Sequence, residues 1–155
     1  PYRDATFFER YSEMTEYPID GERAEVFWTD IFKKYPYPEF DGENFITPCI
    51  PWNRMAHDGY KIRVCEDIIW IWEYLDDGLT VKGANNRFLN NPQGHFLTHY
   101  EKAKFLHYSF IKKLKMYYTF YCDFSDRLPI EKIAEYLHAP KFLISMCAKV
   151  HKLRT

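Results

Sequence analysis

Four prolines within residues 35–52 restrict what the first third of this chain can fold into. The stretch reads YPYPEFDGENFITPCIPW and contains Pro36, Pro38, Pro48 and Pro51. Each proline removes a backbone donor and pushes the preceding residue towards an extended conformation, so the stretch suits neither a helix nor a central strand. The pattern predicts a long extended segment over 35–52, called the strap below, with Asp41-Gly42 making a turn between the two proline pairs.

The strap is too apolar to be a simple linker. Its seven large apolar side chains are Tyr35, Tyr37, Phe40, Phe45, Ile46, Ile50 and Trp52. Soluble monomers rarely expose an apolar patch of that size. We therefore expect four of these rings to lie either in grooves between the chain's own helices or on a neighbouring subunit: Tyr37, Phe40, Phe45 and Trp52.

Aromatic side chains are abundant along the whole chain. The 155 residues include 13 Phe, 13 Tyr and 4 Trp. Aromatic residues bury the largest areas per side chain and also dominate the energetics of protein interfaces. One core of this size does not need thirty rings, so the composition favours contact with another molecule.

Helical spacing of apolar residues predicts an all-α fold, an irregular bundle of about five helices. Capping residues and prolines mark where these helices begin and end, and pairs of apolar residues at i,i+4 support the helical spacing. The predicted ranges are Glu22–Lys34, Asp58–Asp77, Thr98 to about Tyr121, Pro129 to about Leu137, and Pro140 to about Lys152, with a further short helix at 4–14. A long Gly- and Asn-rich loop is expected at 78–94.

The predicted helix at 58–77 has two adjacent apolar ridges, which suggests that it is central to the bundle. The ridges contain Val64, Ile68, Ile71 and Leu75, and Ile62, Cys65, Ile69 and Trp72. Trp70 lies away from both ridges. We therefore expect Trp70 to be an interface anchor.

Length and composition indicate a single helical domain over residues 1–155, partly extended over 1–57, where it could wrap a partner. Apolar residues make up 46% and charged residues 28%, which is ordinary for a globular chain. Residues 1–77 hold 17 acids and 8 bases, whereas residues 78–155 hold 5 acids and 13 bases. The simplest interpretation is mutual neutralisation of the two halves. A basic surface for nucleic acid or anionic lipid is the alternative.

The four cysteines form no C-x-x-C pair, which favours free thiols in an intracellular, reducing compartment. No run of 18 apolar residues occurs, so we expect no transmembrane segment of the chain's own, although a membrane-associated complex stays compatible. No signal peptide is evident. The chain opens at Pro1 without Met, which leaves a removed initiator, a cleaved targeting segment and an incomplete chain open.

Chemical motifs are sparse, so we assign no catalytic, metal-binding or cofactor-binding residue. His95 and His99 have a zinc-like H-x3-H spacing but lack the adjacent Glu of H-E-x-x-H, and a polar helix entrance explains them as well. Cys147 and His151 are also four apart, but a zinc site there needs two more ligands. Fingerprints for a nucleophile elbow, a P-loop and a dinucleotide site are absent.

Residues 130–150 are the strongest competitor to an interaction role. Two short helices separated by a turn resemble the spacing of a helix-turn-helix, which would present Lys141, Ser145 and Lys149 to a groove. Any helical hairpin with a tight corner gives the same pattern. Near-equal numbers of acids and bases disfavour nucleic acid as a partner.

The sequence therefore predicts a non-catalytic accessory subunit of a larger protein assembly, with a mitochondrial complex as the specific setting. Its partners would be other protein subunits. The predicted partner-binding residues are Tyr37, Phe40, Phe45, Trp52 and Trp70. Two alternatives stay open: a helix-turn-helix nucleic-acid-binding domain at 130–150, and a small helical metalloprotein or enzyme whose site leaves no local motif.

Overall fold

Helices dominate the computed structural model of the chain, which describes residues 2–11, 24–65, 67–69, 71, 73 and 86–154. A small two-stranded sheet, which the sequence did not predict, accompanies them. The chain divides into two compact units. Unit 1 comprises Pro1–Pro38 and Pro48–Lys82, and unit 2 comprises Glu39–Thr47 and Gly83–Thr155. The single domain over 1–155, partly extended over 1–57, stays a prediction.

The sheet of unit 1 joins two segments that are distant in sequence. Strand β1 (Tyr2–Ala5) pairs antiparallel with β2 (Ile62–Cys65), and Ala5 lies opposite Ile62. A 3-10 helix follows β1 at Phe7–Arg10, and the Glu9 carboxylate accepts a hydrogen bond of 2.9 Å from the Thr6 N–H. Among the described residues of the helix predicted at 4–14, only Phe7–Arg10 are helical. Its last three positions lie outside the described residues.

Unit 1 has a core of stacked aromatic rings. It contains helices α1 (Thr29–Phe32) and α2 (Cys49–His57). The rings of Phe7 and Trp52 stack with centroids 5.1 Å apart, and Met55, Ala56 and Phe27 pack around them. The helix predicted at Glu22–Lys34 is reduced to α1 among the described residues, since 24–28 have no regular secondary structure.

The helix predicted at 58–77 is wrong wherever the structure describes that range. Gly59 adopts a φ of +89° just after α2, and residues 62–65 form β2. The β-branched Ile62 and Val64 alternate with Arg63 and Cys65, and such residues favour a strand once a partner strand is present. Residues 67–69, 71 and 73 are not helical, and Ile68, Ile69 and Ile71 are exposed. The remaining positions, Trp70 and Trp72 among them, lie outside the described residues.

The strap is irregular over 36–47, but its end is helical. Asp41 and Gly42 form the predicted turn, with Gly42 at a φ of +79°. Helix α2 begins at Cys49 after the cap Pro48, and Pro51 lies in its first turn. The first N–H groups of a helix have no intrahelical partner, so a proline there loses nothing. The extended segment predicted to reach residue 52 therefore ends before Cys49.

Unit 2 is a helical cluster. Its helices are α3 (Pro92–Phe105), α4 (Phe110–Phe124), α5 (Ile130–Tyr136) and α6 (Lys141–Lys152), preceded by a helical turn at 86–90. The last two helices confirm the sequence prediction. The loop predicted at 78–94 is wrong from residue 86 onward, and its earlier part lies outside the described residues. Phe96, Phe124, Ile133, Leu137 and Ile144 form the centre of the core.

The long helix predicted from Thr98 to about Tyr121 is two helices. The sequence around Thr98 and Glu101 has the form of a capping box, yet helix α3 starts six residues before Thr98. The helix is interrupted at 106–109, where His107 has a φ of +48°. Ser109 caps α4 by accepting a hydrogen bond from the Lys112 N–H at 3.3 Å. The break resets the helical phase. Phe110, the first residue of α4, is exposed, while Phe120 and Phe124 fill the core.

Candidate interaction surface

Helix α6 is apolar on two sides, and only one of them is covered by the described residues. Its inner side chains Leu143, Ile144, Cys147 and Ala148 are buried. Its outer apolar side chains Phe142, Met146 and Val150 are exposed, and so is Leu153, the residue that caps its C-terminal end. A spacing of three to four residues places these four on one stripe. The apolar stripe of a helix normally packs against another element, so the outer stripe is an apolar surface that the described residues leave uncovered.

Helix α4 borders this surface, because its Leu114 and Tyr118 line a shared depression with Met146 and Val150 of α6. Phe110 and Ile111 are exposed at the start of the same helix, on the turns before Leu114. We call the combined surface the apolar face. It consists of Phe110, Ile111, Leu114, Tyr118, Phe142, Met146, Val150 and Leu153. Large exposed apolar patches on soluble chains usually mark interaction sites.

A groove of about 270 Å³ lies within the apolar face, between α4 and α6. Leu114 and Tyr118 line it from α4, and Leu143, Met146, Cys147 and Val150 line it from α6. Burial raises the pKa of the Cys147 thiol. The thiol therefore stays neutral and acts as a small apolar part of the groove wall.

The polar side chains that line the groove are cationic, apart from the Tyr118 hydroxyl. Lys115 and Arg154 lie at its edge, and no carboxylate of a described residue lines it. The Arg154 guanidinium carbon lies 5.6 Å from the centroid of the Tyr118 ring, within cation–π range. The groove thus combines apolar walls with a basic edge.

A thiol and an imidazole meet beside the groove. The Cys122 sulfur lies 3.4 Å from His151 Nδ1, and Cys122 is partly buried. The sequence had placed His151 near Cys147, four residues earlier on the same helix, whereas the structure joins it to Cys122. A thiol beside an imidazole is the first half of a nucleophile and base arrangement. A catalytic arrangement would also need a third group that orients the imidazole, and this contact does not supply one.

His95 and His99 belong to an aromatic cluster at the core of unit 2. Their rings are 4.8 Å apart, and each lies 5.0 Å from the ring of Phe120. Burial lowers the pKa of His95, and burial, with His95 and Lys102 nearby, lowers the pKa of His99 to about 4. Both rings are therefore neutral near pH 7 and pack as aromatic side chains.

Neither a metal-binding cluster nor a membrane-spanning helix occurs in the described ranges. There, no three His, Cys, Asp or Glu side chains come together in a way that could hold a metal ion. None of the helices in those ranges has the length and apolar character needed to cross a bilayer.

The five aromatic residues predicted to bind a partner are divided between the two units, and one of them lies outside the described residues. Trp52 is 7% exposed in the core of unit 1. In unit 2, Phe45 packs edge-on against Phe88 at 5.8 Å. Both rings thus contact other residues of their own unit. Tyr37 is 37% exposed, Phe40 is partly buried, and Trp70 lies outside the described residues. Partner binding by these five stays a prediction.

The proposed recognition helix of the helix-turn-helix is α6, and two of its three presented side chains are engaged within the chain. Lys141 forms an ion pair of 2.6 Å with Glu131. The Ser145 hydroxyl donates to the Lys141 carbonyl at 3.1 Å. Lys149 is exposed. Nucleic-acid binding therefore stays a prediction with less support from α6 than its sequence suggested.

Sequence reasoning missed the apolar face, although α6 carries a signal for it. The residues 142, 146, 150 and 153 repeat at helical spacing, in parallel with the inner set 143, 144, 147 and 148. Two apolar stripes on one short helix indicate two covered sides. Comparisons with protein-family models, with curated proteins and with solved structures find no match to this chain.

Proposed function

We propose that this chain is a non-catalytic accessory subunit of a larger protein assembly, which it joins through the apolar face of α4 and α6. The observation that carries the proposal is the double-sided apolar character of α6. Leu153 is 87% exposed and Met146 is 54% exposed, on a helix whose opposite side is core. Leaving such a stripe in water is unfavourable by roughly 25 cal/mol per Å² of apolar surface, and a protein partner would remove that cost.

The rest of unit 2 supports a rigid platform for such a contact. Helix α6 is fixed by buried Leu143, Ile144 and Cys147, so its outer stripe is presented without prior ordering. Preorganised surfaces bind with a smaller entropic cost than segments that must fold first. The setting we propose is an intracellular reducing compartment, with a mitochondrial complex as the specific case. Four free cysteines are compatible with it.

A photocrosslinker tests the proposal in cells that express the chain. Benzoylphenylalanine replaces Phe142, which is exposed on the apolar face, and in a matched variant replaces Lys104, which is exposed on α3. We expect discrete crosslinked products from position 142, each containing one other protein at a fixed stoichiometry, and none of them from position 104. The same products from both positions, or none from position 142, would remove the proposed function.

A nucleic-acid-binding domain is the second candidate, favoured by one observation. Helix α6 carries Lys141, Lys149 and Lys152 and no acidic residue. If it binds duplex DNA, affinity should fall steeply with salt and drop further on Lys149→Glu. Binding that Lys149→Glu leaves unchanged would discard α6 as a recognition helix.

A further inference from the structure

We propose that the groove between α4 and α6 receives an acidic amphipathic helix of a partner protein. The inference rests on the proposed function, since it names the class of partner that the apolar face takes. The shape of the groove and the charge around it both favour this occupant.

The shape suits a helix. The outer stripe of α6 runs from Phe142 to Leu153, about 16 Å at 1.5 Å per residue, which equals three turns of a partner helix. The groove volume of about 270 Å³ is below the roughly 300–1,000 Å³ typical of small-molecule sites. Grooves of this kind accept apolar side chains that a helix presents at positions i, i+3, i+4 and i+7.

The charge around the groove selects an acidic helix. Together, α4 and α6 contain six lysines, and their one acidic residue is Asp123 in the last turn of α4. Lys141 is already paired with Glu131. No ion pair among the described residues involves Lys115 or Arg154, the two cations that line the groove. Carboxylates flanking an apolar stripe would pair with both, which gives specificity and faster association.

A bilayer fits the same residues less well. Basic and apolar side chains on one helix also suit an anionic lipid surface. A planar surface would cover Phe142 and Leu153 but leave the recessed Leu114 and Cys147 without contact, whereas a helix side chain enters the recess. The concavity therefore favours a protein partner.

Two synthetic stapled helices of about 16 residues serve as probes, a length that covers the stripe. Both carry one leucine stripe at i, i+3, i+4 and i+7. They differ only in flanking residues, glutamate in one and lysine in the other. Fluorescence anisotropy measures their binding to the full chain and to three variants: Met146→Glu, the double variant Lys115→Glu with Arg154→Glu, and Lys104→Glu on α3 as the matched control. Circular dichroism checks that each variant is folded.

We expect the glutamate peptide to bind at least about tenfold more tightly than the lysine peptide. Met146→Glu should weaken the glutamate peptide about tenfold. The double charge reversal should abolish or invert the preference, and Lys104→Glu should leave it unchanged. Equal binding of both peptides, no binding of either, or full affinity in Met146→Glu would overturn the inference.

Two further measurements identify other occupants. Sedimentation with phosphatidylcholine vesicles containing phosphatidylserine tests a lipid surface, and analytical ultracentrifugation tests a second copy of this chain. One contrary result is a wild-type chain that binds vesicles or dimerises, loses that property in Met146→Glu, and fails to bind the glutamate peptide. That result would overturn the proposal of an acidic helix as the occupant. Crosslinking from position 142 without binding of the glutamate peptide would refute the acidic helix alone. Absence of that crosslink would refute the proposed function itself.

Discussion

The Glu43 carboxylate accepts a hydrogen bond of 2.9 Å from the backbone N–H of Gly94, at the start of helix α3. Its other oxygen accepts one of 2.6 Å from the Gln93 N–H. These N–H groups have no partner within the helix, and the negative charge complements the positive end of the helix dipole. A side chain from the strap thus caps a helix that begins about fifty residues later.

Glu43→Ala should therefore destabilise unit 2. Two charge-assisted hydrogen bonds would be lost, and replacing a capping side chain by alanine costs about 0.5–2 kcal/mol. Urea unfolding followed by circular dichroism measures the change. Glu39→Ala, an exposed glutamate in the same segment, is the matched control and should change stability by less than about 0.5 kcal/mol. Equal effects at both positions would mean that the cap contributes nothing.

The same contact shows where sequence reasoning fails. The apparent capping box at Thr98 predicted the start of the helix, yet the Thr98 hydroxyl donates to the Gly94 carbonyl inside α3 at 2.8 Å. The actual cap comes from Glu43. Next to it, Asn91 Oδ1 accepts hydrogen bonds from the N–H groups of Asn44 and Phe45, which holds the strap against the start of α3. Caps supplied from a distant segment leave no local pattern, so their position depends on tertiary structure.

Trp52→Ala should cost about 3–5 kcal/mol of unfolding free energy, as expected for truncating a buried aromatic side chain. Its ring stacks on Phe7 and lies 4.9 Å from the Arg10 guanidinium carbon. Trp28, which is 81% exposed, provides the control. Trp28→Ala should change stability by no more than about 0.5 kcal/mol. Chemical denaturation that gives similar losses for both variants would contradict the core position of Trp52.

Stability should fall as pH falls below about 6.5, because His99 is held neutral. Its pKa is lowered from 6.5 to about 4, so the unfolded chain takes up its proton first and the folded state loses stability between those two values. The loss should be about 2 kcal/mol at pH 5 relative to pH 7.5. Burial of His95 acts in the same direction.

His99→Phe isolates this contribution because it keeps a ring beside Phe120 and removes the titrating group. The free energy of unfolding at pH 7.5 and at pH 5 is compared between the wild-type chain and the variant. We expect a smaller drop in the variant. The same drop in both would show that His99 does not titrate with a lowered pKa.

Substitutions on the two sides of α6 should differ in their effect on stability. Ile144 is fully buried, so Ile144→Ala should cost about 2–5 kcal/mol. Leu153→Ser removes an exposed apolar side chain, so the stability of the isolated chain should change by less than about 0.5 kcal/mol while its solubility rises. Thermal unfolding and a precipitation curve measure both quantities. A large stability loss in Leu153→Ser would mean that Leu153 is covered within the chain.

The predictions that held are those with local causes. Helices α5 and α6 follow prolines and carry apolar residues at helical spacing, and the structure confirms both. The turn at Asp41 and Gly42 depends only on two residues and is also observed. Pattern and turn chemistry determine such elements without help from the rest of the fold.

The predictions that failed depend on partners elsewhere in the chain. Ile62 and Val64 fit a helix or a strand equally well, and pairing with β1 decides for the strand. The break at His107 has no proline or glycine to mark it, and Phe110, three residues later, is exposed. The part of the apolar face on α4 follows that break and could not be selected from sequence spacing, whereas the outer stripe of α6 does repeat at helical spacing in the sequence.

The size of the native assembly tests the proposed role of the apolar face most directly. Native electrophoresis of lysates would compare the wild-type chain with a variant carrying Met146→Glu and Val150→Glu, two exposed positions of the face. The wild-type chain should migrate in a complex larger than a monomer, and the variant should be folded and monomeric. A wild-type chain that migrates as a monomer, or a variant that stays in the complex, would contradict an interaction subunit built on α4 and α6.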